Sequence, residues 1–565
     1  MPGSPPAPLA TNRLRRQRVV TALVLLAALL FGAAPAHGAS YVPISGAGST
    51  WSQNALDQWR ANVKQYGMTV NYNGTGSSDG RNQFRNGTVD YAVSEIPYGV
   101  KDSGVVDSPP SRKYAYMPIV AGGTSFMYNL TIGNRRVTNL RLSGEVIAKM
   151  FTGQIKTWND PAIKADNPAI ASALPARRVV PVVRSDGSGT TAQFSTWMSK
   201  QYPGLWDDYC RRAGRSTPCG TTSNYPVVPG SGFVGQSGSN GVSGYVAQAG
   251  NVGTITYVEY SYAVYTTGFP VAKVLNKAGY YVEPTAKNVA VSLLKARINE
   301  NSSSSDYLTQ ILDDVYNDSD PRAYPLSSYS YMIIPTKLES NFNDQKGKTL
   351  GAFAYYFLCE GQQHVDNLGY SPLPINLVQA GLNQVRRIPG VDVQSIDIKN
   401  CHNPTFSSDG SNTLAKTAPY PPACDKLGAS QCATGTGGAK TPTNVGGGAG
   451  GAGSSGGAGG SGSSGGPGGS GAGTGGASPG TGKGSGGAGG ASGGATIDPD
   501  TGQVVGANGG SAGGTGADAF AVPVSTSRSI SSGSRTALMA VAGVLLLAVT
   551  VGPPLLTRRL KRGRS

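Results

Sequence analysis

Arg184-Ser185-Asp186-Gly187-Ser188-Gly189-Thr190-Thr191 is the stretch on which the reading of this chain turns. It follows an apolar run, Val179 to Val183, with the pattern of a buried strand, and precedes Ala192 to Met198, which can be helical. Strand, glycine loop and helix start together make an anion site, because free backbone N–H groups and the positive end of the helix dipole face one point. Ser188, Thr190 and Thr191 add hydroxyl donors, and Arg184 adds a planar fork suited to two oxyanion oxygens. Asp186 reads as the carboxylate that orients the fork. No Lys follows the glycines, so the loop is not a nucleotide P-loop. Taken alone, it is equally readable as a Gly/Ser turn beside a solvated arginine.

Two further loops repeat the design. Tyr41 to Ile44 reads as a strand, Ser45 to Thr50 as a glycine loop, and Trp51 to Gln65 as a helix whose Trp51, Ala55, Trp59 and Val63 form one apolar stripe. Met68 to Tyr72 is the next expected strand and Asn73 to Gly80 the next glycine loop; Val89 to Ser94 is a third strand, ending at Glu95. Strands alternating with helices predict an α/β lobe with a largely parallel sheet. Loops at the ends of such strands converge on one crevice. Three hydroxyl-bearing loops and one arginine suit an oxyanion with four oxygens. Glu95 is the acidic member, and a carboxylate facing an anion makes sense when the anion carries a proton. Hydrogen phosphate does and sulfate does not, so the acceptor discriminates between them.

Extended stretches at Tyr116 to Val120 and Thr124 to Leu130, and again at Tyr329 to Pro335, predict two crossings between two lobes, hence a hinge. The expected division is 40–125 and 329–400 for the first lobe and 126–328 for the second. Glu145 to Phe151, Lys348 to Phe357 and Ile375 to Val385 read as helices, and 401–433 as a cysteine-containing loop region.

The chain has 565 residues, of which 82 are Gly, most of the excess falling between Val445 and Gly516. Such a segment buries too little apolar surface to fold, so 434–534 is expected to be a disordered tether spanning roughly 55 Å as a flexible coil. Both ends read as targeting devices. Arg13, Arg15, Arg16 and Arg18 precede the apolar run Val19 to Phe31 and the small residues after it, the pattern of a secretory signal peptide over 1–39. Near the other end, an uncharged stretch within 535–557 is long enough to span a bilayer. The basic tail 558–565 follows it, which places the C-terminus inside and the head on the extracellular face. Of the net charge of +16, four charges precede the first apolar run and five follow the second, which leaves +7 for the exterior. No dense basic stripe suits nucleic acid. Cys210, Cys219, Cys359, Cys401, Cys424 and Cys432 are even in number in an exported chain, so disulfides are expected, nearest-neighbour pairing being the simplest of 15 arrangements. None forms a Cys-x-x-Cys pair, and neither a metal site nor a cofactor is expected.

The pattern resembles the phosphate-binding proteins of Pst-type phosphate ABC transporters. The residues that carry the resemblance are Gly46-Ala47-Gly48-Ser49-Thr50, Gly76-Ser77-Ser78, Val89 to Glu95 and Arg184 to Thr190, with support from Phe151 to Ile155, Trp158-Asn159-Asp160-Pro161, Gly253 to Tyr260 and Leu368 to Pro374. The resemblance spans about Ile44 to Val385. It implies a two-lobed periplasmic-binding-protein-like fold of type II, with inorganic phosphate as ligand and ABC permease subunits as partners. By matching position it implies ligand contacts from Thr50, Trp51, Ser77, Glu95, Arg184, Ser188, Gly189 and Thr190. Thr50, Ser77, Ser188 and Thr190 would donate hydroxyls, and Trp51 and Gly189 backbone N–H groups. Glu95 stands where the family usually has Asp, and Trp51 where it usually has Phe; the C-terminal span also departs from its soluble or lipid-anchored forms.

Two other readings compete. Gly76-Ser77-Ser78-Asp79-Gly80 matches the nucleophile-elbow pattern, which would need His364 or His402 beside Ser78; a phosphatase on the same fold would need a metal-ligand cluster. A surface interaction protein could keep the fold and lose transport, using the tether and the loop-rich insert Pro203 to Phe233.

Overall fold

Three short strands, Ile44–Gly48 (β1), Val70–Asn73 (β2) and Tyr91–Ser94 (β3), form a parallel ladder with β1 in the middle, in the computed structural model of the chain. The structure describes residues 41–443, except 103–104, 305–306, 308, 340, 397 and 408–410, together with two short strands, 496–497 and 504–505, that pair with each other. The expected signal segment (1–39), the tether from 444 apart from those two strands, the apolar span (535–557) and the basic tail (558–565) lie outside the described residues. Among the described residues no helix is long and apolar enough to cross a membrane.

Gln53–Val63 (α1) and Ser77–Arg85 (α2) connect the ladder. The apolar stripe of α1 is buried at Ala55, Leu56, Trp59 and Val63, and Trp59 stacks on Phe357 with ring centroids 5.2 Å apart. Tyr114–Asn129 (β4) then leads to a second group of elements: Gly144–Phe151 (α3), Val180–Arg184 (β5), Gly189–Gln201 (α4), Val234–Gln236 (β6), Gly238–Ala247 (α5), Thr254–Glu259 (β7) and Val271–Leu275 (β8). Ala286–Ser292 (α6) and Ser327–Pro335 (β9) lead back, and Asp344–Leu358 (α7) and Ile375–Val385 (α8) follow.

The main sheet runs β6–β5–β7–β4–β9–β3–β1–β2. Its centre is the pair of crossings. The first part of β4, Tyr114 to Gly123, pairs antiparallel with β9; the second, Thr124 to Asn129, pairs antiparallel with β7. One strand therefore serves both lobes, which gives the chain an α/β two-lobed fold. One core gathers Trp51, Trp59, Tyr91, Tyr331, Phe353 and Phe357; the other gathers Phe126, Phe151, Trp158, Phe194 and Trp206.

Element boundaries differ from expectation where glycines cluster. β1 begins at Ile44 and continues to Gly48, through residues expected as loop. α2 begins at Ser77 and takes in Gly80, also expected as loop. The two differences share one cause. A Cβ on Gly80 would lie 2.3 Å from the Gly48 Cα, so these glycines let a helix sit directly on a strand. The stretches 116–120 and 124–130 form one continuous strand, and the insert 203–233 opens with a helix, Pro203–Arg212.

Cys210–Cys219, Cys359–Cys401 and Cys424–Cys432 are bonded. The second bridge ties the segment after α8 to the first lobe. That segment passes Thr413–Lys416, whose Ala415 packs with Ala290, Val291 and Ala323, and reaches the second lobe at Cys424, where Arg141 Nη1 donates to the Cys424 carbonyl at 2.9 Å. Residues 434–443, expected as the start of the tether, are held there too. Thr436 N–H donates to Thr138 O at 3.0 Å, Lys440 pairs with Glu283 at 2.9 Å, and Thr443 Oγ1 donates to Asn139 Oδ1 at 2.6 Å. Side-chain hydroxyls in this stretch supply the bonds that an all-glycine tether lacks.

Candidate functional site

β5 ends at Arg184, and the glycine turn after it starts α4 at Gly189 with Ser188 as N-cap. The Ser188 hydroxyl accepts the Thr191 N–H at 3.1 Å, satisfying one free donor of the first turn. Arg184 is 3% exposed. Its Nε and Nη2 bond the two oxygens of Asp186, the first at 2.7 Å, while Nη1 points the other way, 3.4 Å from Thr190 Oγ1 and 3.4 Å from Ser239 Oγ. Asp186 also accepts the Gly238 N–H at 2.9 Å. Burial acts to raise the Asp186 pKa, but the bidentate Arg184 and that N–H outweigh it and hold the carboxylate below its ordinary range. Asp186 thus fixes the fork, and one Arg184 nitrogen stays turned toward the hydroxyls.

The first lobe supplies the opposite wall. Glu95 follows β3 and is 1% exposed. Three serine hydroxyls surround its carboxylate. Ser49 lies 2.6 Å from Oε1 and 2.8 Å from Oε2, Ser330 lies 2.7 Å from Oε1, and Ser77 lies 3.0 Å from Oε2. Burial pushes the Glu95 pKa up, and the three hydroxyls and Arg184 pull it partly back. The Gly189 N–H donates to Ser77 Oγ at 3.1 Å, so a donor chain runs from the second lobe through Ser77 to Glu95. A Cβ on Gly189 would lie 1.9 Å from Glu95 Oε2, so a side chain there would push Glu95 off its hydroxyls or hold the lobes apart.

Thr50 completes the wall. Its Oγ1 accepts the Ser239 N–H at 3.0 Å and lies 2.9 Å from Ser239 Oγ. The Trp51 N–H donates to Ser49 Oγ at 3.0 Å, and its buried ring meets Tyr370 edge-on at 5.8 Å. Thr50, Ser77, Glu95, Arg184, Asp186, Gly189 and Thr190 are thus linked at one place between the lobes, whereas the Ser188 hydroxyl is taken up by its own helix and the Trp51 N–H by Ser49. Thr191 is not among them: its hydroxyl lies 2.8 Å from the Tyr257 hydroxyl, which also accepts the Arg184 N–H. The elbow serine Ser78 bonds Ser223 Oγ at 3.1 Å, and His402 lines a separate groove beside Cys401. Among the described residues no cluster of His, Cys, Asp or Glu could hold a metal ion.

Several residues at the site were not anticipated. Ser239 lies in the first turn of α5, which Gly238 opens after Gln236-Ser237, a fourth strand–glycine–helix junction that carries the same signal as the other three. Gln193 of α4 donates to the Glu95 carbonyl at 2.8 Å, and the Tyr262 hydroxyl donates to the Thr50 carbonyl. Ser330 and Glu259 come in through the strand order, which leaves no local motif.

A buried arginine fork from one lobe thus faces a buried carboxylate from the other. Residues 33–360 match the model of the PBP superfamily domain. The phosphate-binding protein PstS of Methanocaldococcus jannaschii is 32% identical over 368 residues, covering 62% of this chain and 87% of that protein. The phosphate-binding protein PstS of Xylella fastidiosa (strain Temecula1) is 32% identical over 341 residues, 60% of this chain and 83% of that protein. The phosphate-binding protein PstS 3 of Mycobacterium tuberculosis is 30% identical over 334 residues, 59% and 82% respectively. On the family match and on this identity and coverage, the chain belongs to the PBP superfamily and, within it, to the family of the phosphate-binding proteins PstS.

Proposed function

We propose that this protein captures inorganic phosphate between its lobes and delivers it to the permease subunits of an ABC transporter. One observation carries the reading: a buried arginine fork and a set of hydroxyl and N–H donors from one lobe face a buried carboxylate from the other. The ligand set is Thr50, Trp51, Ser77, Glu95, Arg184, Ser188, Gly189 and Thr190, with Asp186 orienting Arg184. Arg184 supplies the charge and the hydroxyls and backbone N–H groups fill the remaining acceptor sites of the oxyanion. Glu95 accepts the ligand's own proton. Sulfate brings no proton, so it would leave two anionic oxygens opposed in a dry site. The relatives are named as binding proteins, and the elbow serine Ser78 bonds the Ser223 hydroxyl.

The two lobes are 40–125 with 329–400, and 126–328. The region 401–443 joins them from outside, and the stretch after 443 links the head to a span at 535–557, with 558–565 in the cytoplasm and the signal over 1–39 removed on export. The head then works at the extracellular face of the membrane on a tether. Titration calorimetry of the full-length protein in mild detergent tests the binding reading. Phosphate should bind and sulfate should bind at least about 100-fold more weakly, and Arg184→Ala should abolish both. Equal affinity for the two anions, or binding of neither, would sink it.

A further inference from the structure

Glu95 receives hydroxyls from three directions, and they are not equivalent. Ser49 follows β1 and Ser77 opens α2. Ser330 comes from β9, one of the two crossings, and is fully buried. It lies 2.7 Å from Glu95 Oε1 and 3.3 Å from Ser52 Oγ. The β9–β4 ladder slips at this residue: Ser330 pairs with Val120 and Tyr331 with Pro118, which leaves Ile119 without a partner. The extra residue lies on β4, and a bulge of this kind bends the strand that carries it. Tyr331 in turn pairs with Ser94, the residue before Glu95. The irregularity in the hinge and the root of Glu95 are thus one rung of the same sheet.

We propose that Ser330 is a specificity-determining positioning residue: its hydroxyl, donated to Glu95 Oε1 from the hinge strand, holds the carboxylate in place and ionised, so that it can accept the ligand's proton. This rests on the phosphate reading above. The other ionisable groups that bear on Glu95 are Arg184 on β5, Glu259 at the end of β7, Tyr72 on β2 and Tyr370 after α7, and of these only Arg184 favours the ionised form. A hydroxyl donated to a carboxylate also favours ionisation. Loss of the Ser330 hydroxyl therefore moves protonation of Glu95 to higher pH. A protonated Glu95 donates instead of accepting, and sulfate, which only accepts, is no longer turned away. Ser330 sets the pH below which the site stops telling the two anions apart.

The test is calorimetry of the full-length protein with inorganic phosphate and with sulfate from about pH 5 to pH 8, a range chosen to lie above the ordinary glutamate pKa. Ser330→Ala should weaken phosphate at pH 8 but keep its preference over sulfate there. It should lose at least about tenfold of the phosphate-to-sulfate ratio toward pH 5, with the fall centred at higher pH than in the natural protein. Ser330→Thr, which keeps a hydroxyl, should restore the natural profile. Ser330→Cys keeps the volume with a weak donor and carries the same expectation should the alanine variant fail to fold. A loss variant that leaves the ratio and its pH profile unchanged, or that weakens both anions equally at every pH, overturns the proposal while phosphate capture stands. A natural protein that binds neither anion overturns both.

Discussion

At Gly189 the two lobes meet with no room for a side chain. Gly189→Ala would drive a methyl group into Glu95 Oε2 and Ser77 Oγ, at 1.9 and 2.5 Å. Either Glu95 is pushed off its hydroxyls or the lobes stay apart, and by either route phosphate affinity should fall by at least about 100-fold, or ~2.7 kcal/mol. Gly189 opens α4 and supports no core, so the melting temperature without ligand should change little; equilibrium dialysis and a thermal melt separate the two effects. Glu259 poses a different problem. Oε2 accepts the Ser261 N–H at 2.6 Å, Oε1 has no hydrogen-bond partner, and the side chain is fully buried. Burial, aided by the charge of Glu95, pushes its pKa well up. For an acid raised in the fold, ionisation destabilises: the protein is unaffected below the unfolded-state pKa near ~4.3 and loses stability as pH climbs from there toward the raised value. Glu259→Gln should therefore raise the melting temperature at pH 8 and leave it unchanged at pH 4. A gain of the same size at both pH values would show that charge burial is not the cause. Arg184, Asp186 and the hydroxyls of the glycine loops were legible in the sequence because each lies inside a local strand–turn–helix pattern. Ser330 and Glu259 were not, because what they touch is decided by which strands become neighbours.

Among the elements, α2 on β1 is the contact most exposed to a single change. A Cβ on Gly80 would lie 2.3 Å from the Gly48 Cα and 2.6 Å from the Ala47 carbonyl oxygen, all of it backbone that cannot swing away. Gly80→Ala should lift α2 off the strand and cost about 1–3 kcal/mol of stability. Because α2 begins at Ser77, phosphate affinity should drop in the same variant. Gly67→Ala is the informative control. Its φ is +80° but its Cβ would meet nothing, so it should cost about 1–2 kcal/mol through backbone strain alone and spare the affinity. Equal loss of affinity in both would argue against a geometric role for the α2 contact. The same contact explains where sequence reading of the elements stops. The stripe of α1 and the whole of α8 were legible, since apolar periodicity there matches the buried face. Around Gly48 and Gly80 the same residues read as loop, because glycine's tolerance of turns is a local property and its use as a spacer between packed elements is not.

Across the whole head, the segment after α8 does what neither lobe does alone. It is bonded to the first lobe by Cys359–Cys401 and by Asn403 and Thr405 donating to the Leu373 carbonyl at 3.0 and 2.8 Å. It reaches the second lobe through the Arg141 contact to Cys424 and the Lys273–Asp425 pair at 2.6 Å, whose side chains are 13% and 4% exposed. Nothing in its sequence is periodic, so its path was not legible beyond the cysteines that close it. A segment anchored at both ends makes unfolding of one lobe disturb the other, and the two lobes should melt as one cooperative unit. Asp425→Ala removes one partner of a buried pair and leaves Lys273 unneutralised, at a cost of roughly 3–5 kcal/mol concentrated at the anchor. Scanning calorimetry of the full-length protein should show a single transition for the natural chain. For the variant it should show two, the earlier one belonging to the released second lobe. Phosphate should move both transitions of the variant upward, since the ligand bridges the lobes by contacts that Asp425 does not share. A variant that still melts in one transition would mean that β4 and β9 alone couple the lobes and that the outer segment only covers them.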